Sequence, residues 1–373
     1  MEKSIDILVC GHLCLDLLPM MDNVRLSELP SPGRLFEVGP MSFSTGGAVS
    51  NTGLALHKLG VNVRLMSNVG DDLIARLILA FIESRDPSLT QYIRAKTGQA
   101  SSYTLVLSPE HVDRIFLHCT GTNATFTSND LDYDVVAQSR LLHLGYPPLL
   151  PSLIGNDGEE LALLFRRAKR AGVITSLDTS LPDTAGASGQ VNWKSLLART
   201  LPFVDIFVPS LEEILFMLRR NDYERWDGRY LEHISVQYLD TLADELLQMG
   251  SAAIVGFKLG EFGIYLRGGR VERFAHLREL PIDSAAWAEQ RIWHPAFQVE
   301  VAGTTGAGDS AYAGLLTAML KGLAPDDAAG WACAVGACNV EAADATSSIQ
   351  TWSATQRRID SGWQVQDYRL KDF

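Results

Sequence analysis

A carboxylate at the mouth of a glycine-lined turn is the feature of this chain best suited to chemistry. In Ala302-Gly303-Thr304-Thr305-Gly306-Ala307-Gly308-Asp309-Ser310 the glycines carry no Cβ, so backbone N–H groups can approach an anion closely. The alternating residues 297–301 upstream predict a strand, and the Ala/Leu/Met run 311–320 downstream predicts a buried helix. The first N–H groups of such a helix have no partner within it and sit at the positive end of its dipole. A phosphoryl group in transit is stabilised there. Asp309 beside an anion is unfavourable unless it has a task, and taking a proton from an attacking hydroxyl is one. Read alone, the stretch is equally a glycine-rich strand-to-helix turn with Asp309 in the first helical turn. It is neither a Walker loop nor a dinucleotide fingerprint, since Gly-x-x-x-x-Gly-Lys-Ser/Thr occurs nowhere in the chain.

A second constellation, Thr45-Gly46-Gly47-Ala48-Val49-Ser50-Asn51, opens another helical pattern that ends near Gly60. Paired glycines let a substrate lie against bare backbone, and Asn51 offers both a donor and an acceptor to hydroxyls. A tight turn followed by an amphipathic helix with a surface Asn fits this piece as well. Further along stand Phe207-Val208-Pro209-Ser210-Leu211-Glu212-Glu213 and Lys258-Leu259-Gly260-Glu261-Phe262-Gly263, and the chain begins with the strand pattern Ile7 to Cys10 leading to Asp16.

Together and in this order, these segments resemble the ribokinase-like (PfkB) family of carbohydrate kinases. Its signatures run Gly-Gly-x-x-x-Asn near the amino end and Asp-Thr-x-Gly-Ala-Gly-Asp near the carboxyl end. The resemblance covers roughly residues 5–345. It implies transfer of the γ-phosphoryl of ATP, with Mg²⁺, to a hydroxyl of a small carbohydrate. Asp309 would be the base and Gly306, Ala307 and Gly308 the anion cradle. Asp16, Gly46, Gly47 and Asn51 would hold the acceptor, with Tyr103 and Arg114 contributing from a lid. Ser210, Glu213, Lys258, Gly260, Gly263, Thr305 and Asn339 would lie on the nucleotide side, and Glu213 would reach the metal through water. Two positions depart from the pattern. Gly303 replaces the Asp or Asn that heads the last motif, which puts monovalent-cation activation in doubt, and Ser210 replaces the Asn of the Asn-x-x-Glu segment. Glu212 reads as a solvent-facing neighbour of Glu213. Asp178, after a strand, reads equally as a cap or as a residue near phosphate, whereas His118, His143 and His294 read as core or lid histidines. A nucleoside kinase or a non-catalytic sugar or nucleotide sensor on the same fold are the alternatives. The Gly-Gly-x-x-x-Asn segment disfavours hydroxymethylpyrimidine or pyridoxal as acceptor.

The chain must also position these residues. With 373 residues and 46% hydrophobic content it can bury a sizeable core. The strand patterns 5–10, 63–69, 141–144, 173–177, 206–208 and 253–257 are separated by helical ones such as 156–171, which Gly172 ends. That alternation predicts a doubly wound, mostly parallel α/β sheet flanked by helices, with the site beyond the carboxyl ends of its strands. Residues 102–107 and 114–118 instead read as hairpin strands, and with 34–44 they suggest a small β lid drawn from about 12–45 and 100–120. The resemblance implies that this lid covers the sugar and can form a homodimer interface. The whole, 1–373, reads as one ribokinase-like domain, with 220–230 and 281–295 as inserted loops or short helices.

A formal charge of −12 argues against nucleic acid or anionic membrane as partners, though local groups can still meet ATP. No apolar run approaches the roughly 20 residues of a membrane span, and no leader pattern opens the chain, so a cytoplasmic protein is expected. Five cysteines without metal-ligand spacing read as reduced thiols.

Overall fold

The computed structural model describes residues 3–21, 33–108, 115–250 and 252–371. In chain order its strands are β1 (Ile5–Gly11), β2 (Cys14–Pro19), β3 (Met41–Gly46), β4 (Val63–Gly70), β5 (Tyr92–Lys96), β6 (Tyr103–Leu107), β7 (Ile115–Cys119), β8 (Ser139–Gly145), β9 (Ile174–Leu177), β10 (Ile206–Phe207), β11 (Ile254–Lys258), β12 (Ile264–Gly268) and β13 (Arg291–His294). The larger sheet runs β13-β12-β11-β10-β9-β8-β1-β4-β5. It is parallel from β11 to β5, with β12 and β13 antiparallel at one edge.

Its helices are α1 (Ala48–Lys58), α2 (Leu73–Glu83), α3 (Tyr133–Ala137), α4 (Pro151–Arg170), α5 (Trp193–Thr200), α6 (Leu211–Leu218), α7 (Arg220–Trp226), α8 (Val236–Met249), α9 (Ser284–Trp287), α10 (Ala307–Leu320), α11 (Pro325–Asn339) and α12 (Trp352–Asp360). Successive strand residues point to opposite faces, so the unbroken apolar run of β1 serves two cores. Ile7 and Val9 pack with α1, α2, α10 and α11, while Leu8 and Cys10 pack with α4, α5, α6 and α8. Burial on both faces is why these strands were legible as runs rather than as alternations.

The second sheet has the order β3-β2-β6-β7. Its two ends are antiparallel pairs, but β2 and β6 at its centre are parallel, because residues 47–102 return through the large sheet before β6 forms. Three expectations change. Residues 297–301 form no strand; Phe297 makes an antiparallel bridge to Val365, so its polar backbone is satisfied by the carboxyl-terminal segment instead. Within α4 the backbone at Gly155, Asn156, Asp157 and Gly158 is not helical, so the regular helix begins after them. Segment 281–295, expected as loops or short helices, supplies the short helix α9 but also the sheet-edge strand β13.

Candidate active site

β1 lies between β4 and β8, where the chain reverses its direction of travel across the sheet, and a crevice opens at such a switch point. Gly11 and Gly145 face each other at the carboxyl ends of β1 and β8, and the next residues, His12 and Tyr146, enter the crevice. The paired glycines before α1 have a steric purpose here. A Cβ on Gly46 would collide with the Asp16 carboxylate, and one on Gly47, whose φ is 88°, would collide with the His12 ring. His12 is 3% exposed, yet neither ring nitrogen has a partner. Burial, with His118 nearby, lowers its pKa to about 3, so the ring is neutral. Burial raises the pKa of Asp16, against the pull of hydrogen bonds from Cys14 and Thr104.

Asp309 sits in the first turn of α10, 3% exposed. Asn51 Nδ2 donates to its Oδ2 and Thr52 Oγ1 to its Oδ1, each at 3.0 Å, and the Tyr146 hydroxyl donates to Oδ2 as well. Burial and then the Asp309 charge hold the Tyr146 phenol well above its ordinary pKa, so it remains a donor. Two glycine motifs 258 residues apart therefore meet through side chains, while Asn51 Oδ1 is left without a partner.

Across the crevice, Lys258 Nζ bridges both oxygens of Asp178 at 2.7 Å. Burial raises the pKa of Asp178, against the pull of Lys258, and Glu213 and Asp309 add to the rise. Burial lowers that of Lys258, but Asp178 and Glu213 outweigh it and keep the ammonium charged. Glu213 Oε2 accepts from Thr179 Oγ1 (2.7 Å) and from the Ser210 N–H (3.0 Å), while Ser210 Oγ caps α6 in return. One ammonium against three neighbouring carboxylates leaves the crevice rich in hard oxygen donors. Oxygen donors of this kind are those Mg²⁺ takes when phosphate and water complete its shell, although no group of three or more His, Cys, Asp or Glu among the described residues could hold a metal by itself.

At the start of α10, Gly306 has φ 75° and Ala307 N–H donates to Thr304 O at 3.2 Å. That bond engages the Ala307 N–H, while Gly306, Ala307 and Gly308 all line the cavity. The cavity has a volume of about 750 Å³ and is lined by Tyr146, Asp178, Ser210, Glu213, Lys258, Gly260, Gly263, Thr304, Gly306, Ala307, Gly308 and Asp309, with Phe297, Ala337, Val340 and Gln366 among its other walls. It could hold an extended anion whose end meets a buried carboxylate and a hydroxyl.

A model of the pfkB family of carbohydrate kinases matches residues 5–352. The chain belongs to that family. As a pfkB kinase it is a phosphotransferase. It is similar to the 2-dehydro-3-deoxygluconokinase of Bacillus subtilis, 24% identical over 88% of this chain and 90% of that protein. It is also similar to a nucleoside kinase of Methanothermobacter thermautotrophicus, 23% identical over 97% of this chain and 98% of that one. The solved ribokinase of Arabidopsis thaliana, bound to ribose and ATP, superposes with a TM-score of 0.71 over 96% of this chain and 98% of that one at 16% identity, which makes the fold ribokinase-like.

Within this pfkB kinase, three expected site residues lie elsewhere. Tyr103 is on the opposite face of β6 from Thr104, which pairs with Asp16 and with His118 across the small sheet; the two-residue period of a strand puts only one of the neighbours over the crevice. Thr304, not Thr305, lines the cavity. Asn339 is fully buried at the end of α11, where its amide donates to Ala345 O at 2.6 Å and ties down a loop. Arg114 lies outside the described residues. Glu212 is half-buried at the cavity rim and accepts from the Tyr230 hydroxyl at 3.2 Å, so it does not face solvent. Asp178 belongs to the ion pair described above.

Residue types alone did not point to His12, Thr52, Thr179 or Tyr146. Thr52 adjoins Asn51 in sequence and was the easiest of the four to find. Tyr146 had one signal, a bulky polar residue two positions after the predicted strand 141–144.

Proposed function

We propose that the protein transfers the γ-phosphoryl group of ATP to a hydroxyl of a small neutral or acidic carbohydrate. Asp309 takes the hydroxyl proton as the acceptor oxygen bonds to phosphorus and the bond to the β-phosphate oxygen breaks, releasing ADP. Asp16, the backbone at Gly46 and Gly47, and Asn51 Oδ1 hold the acceptor. Gly306 and Gly308 N–H groups and Lys258 stabilise charge on the group in transit. Glu213 would hold Mg²⁺, whose chemistry when bound with the nucleotide would be to neutralise phosphate charge. Residues 1–373 work as one domain of a cytoplasmic enzyme, with the small sheet as lid and dimer interface. The single observation that supports this most is the bond between Asn51 of one motif and Asp309 of the other, which brings the residue proposed to hold the acceptor against the carboxylate proposed as base.

A nucleoside acceptor is the second reading, favoured by the ring cluster of His12 with His118 (5.7 Å between centroids) and with Tyr146 (6.1 Å), which offers a base something to stack against. ADP production from Mg·ATP across sugars, sugar acids and nucleosides separates the two. Asp309→Asn is expected to lose turnover by about 10²–10⁴ while still binding nucleotide. Near-normal turnover in that variant would remove Asp309 from its role. Nucleotide binding with no turnover on any acceptor would favour a sensor.

A further inference from the structure

Residues 361–371 lie beyond the stretch shared with the family, 5–352, yet they are stitched along the nucleotide-side wall of the cavity. Trp363 stacks on Phe297 with ring centroids 4.5 Å apart, and its indole N–H donates to Gln298 O at 2.9 Å. Gln298 N–H donates to Gln364 O at 2.9 Å, and Gln366 N–H donates to Ala296 O at 2.8 Å. Farther on, Tyr368 stacks on Phe262 at 4.4 Å, Leu370 is buried, and Val236 N–H donates to Lys371 O at 3.1 Å. The segment is a strap anchored at both ends.

Between those anchors Gln366 lines the cavity. Phosphates are drawn to the other part of the cavity, by Lys258 and the Gly306 to Gly308 turn. The Gln366 N–H bonds Ala296 O, and Ala296, Phe297, Val299, Ala337 and Val340 are uncharged members of the cavity lining. An apolar slot with one amide in it suits a flat heteroaromatic base. A glutamine amide presents one donor and one acceptor, which match the N7 acceptor and N6 donor of adenine. Guanine shows two acceptors on that edge and leaves the amide oxygen opposed to another oxygen.

We propose that residues 361–371 form the outer wall of the base subsite and that Gln366 sets a preference for adenine over guanine nucleotides. The inference rests on the phosphotransfer reading above, because it takes this cavity as the nucleotide site. Calorimetric titration of non-hydrolysable ATP and GTP analogues into the full chain tests it, with wild type, Gln366→Ala and Gln366→Arg side by side. Gln366→Ala is expected to weaken the ATP analogue about tenfold and the GTP analogue less than about twofold, so that discrimination collapses. Gln366→Arg, whose paired donors match guanine, is expected to shift the ratio toward the GTP analogue. Kinase assays should show an unchanged acceptor KM in Gln366→Ala. Affinities and an ATP-to-GTP ratio within about twofold of wild type in both variants overturn the proposal. Wild type that binds neither analogue overturns it together with the kinase reading. Wild type that binds ATP but phosphorylates no acceptor leaves the base preference to be decided by the titrations alone, so the two failures are told apart.

Discussion

Asp309 can accept about four hydrogen bonds through its two carboxylate oxygens, and three positions are taken by Asn51, Thr52 and Tyr146. The remaining one, on Oδ1, is the position the proposed function assigns to an acceptor hydroxyl. Fixing the carboxylate in this way lowers the reorganisation needed when the proton moves. Tyr146→Phe keeps the ring beside His12 but deletes one of the three bonds. We expect kcat to fall about tenfold with acceptor KM changed less than about threefold, in line with the strength of a hydrogen bond to a charged group. Steady-state kinetics on both proteins check this, and an unchanged kcat would mean that Asn51 and Thr52 suffice.

At the scale of elements, the site is the meeting of two helix N-termini, α1 and α10, over the ends of β1 and β8. A Cβ on Gly308 would stand 3.3 Å from Lys258 Nζ, so a branched side chain there would fill the anion turn and press on the ammonium. Gly308→Val is expected to lower kcat/KM for ATP by about 100-fold or more, with circular dichroism unchanged. Normal ATP kinetics in that variant would refute the backbone cradle.

The sequence made this framework legible where local pattern decides it. Strands buried on both faces read as apolar runs, and Gly-Gly-x-x-x-Asn and Gly-Ala-Gly-Asp marked the two helix starts. It was silent where partners are distant in the chain. Residues 297–301 alternate like a strand, but their backbone partners are Gln364 to Gln366, which no local pattern announces. Tyr146 reaches Asp309 across 163 residues, and Asn339 looked like a nucleotide contact only because nothing in its own segment shows the loop it closes.

For the molecule as a whole, two buried histidines make stability depend on pH. Burial depresses His12 and His143 to about 3, below the ordinary value of 6.5. Below pH 6.5 the unfolded chain therefore takes up protons that the folded chain refuses, so stability present above that pH is lost as pH falls toward 3. Between pH 7.5 and 5.5 the loss is about 1.4 kcal/mol for each histidine. Asp178, whose pKa burial raises, titrates in the opposite sense over the same window, so the test is a difference: in urea denaturation at the two values His143→Gln is expected to lose about 1.4 kcal/mol less than wild type.

The outer face of the small sheet carries the row Phe43, Leu17, Leu105 and Leu117 across all four strands, with Phe43 49% and Leu117 53% exposed. If a second copy covers this face, Leu117→Glu is expected to yield monomers in sedimentation, whereas wild type sediments as a dimer. Wild type that sediments as a monomer would remove the dimer. The bond from Asn51 to Asp309 has one more consequence, in the order of biosynthesis. The acceptor-side glycines leave the ribosome long before the carboxylate does, and domains emerge from their amino ends. Until α10 has been made and docked against α1, the growing chain holds neither the complete acceptor site proposed above nor the carboxylate proposed as its base. On the proposed reading a half-made or truncated copy would be unable to squander nucleotide, because closing a loop of 258 residues is also what would complete the enzyme.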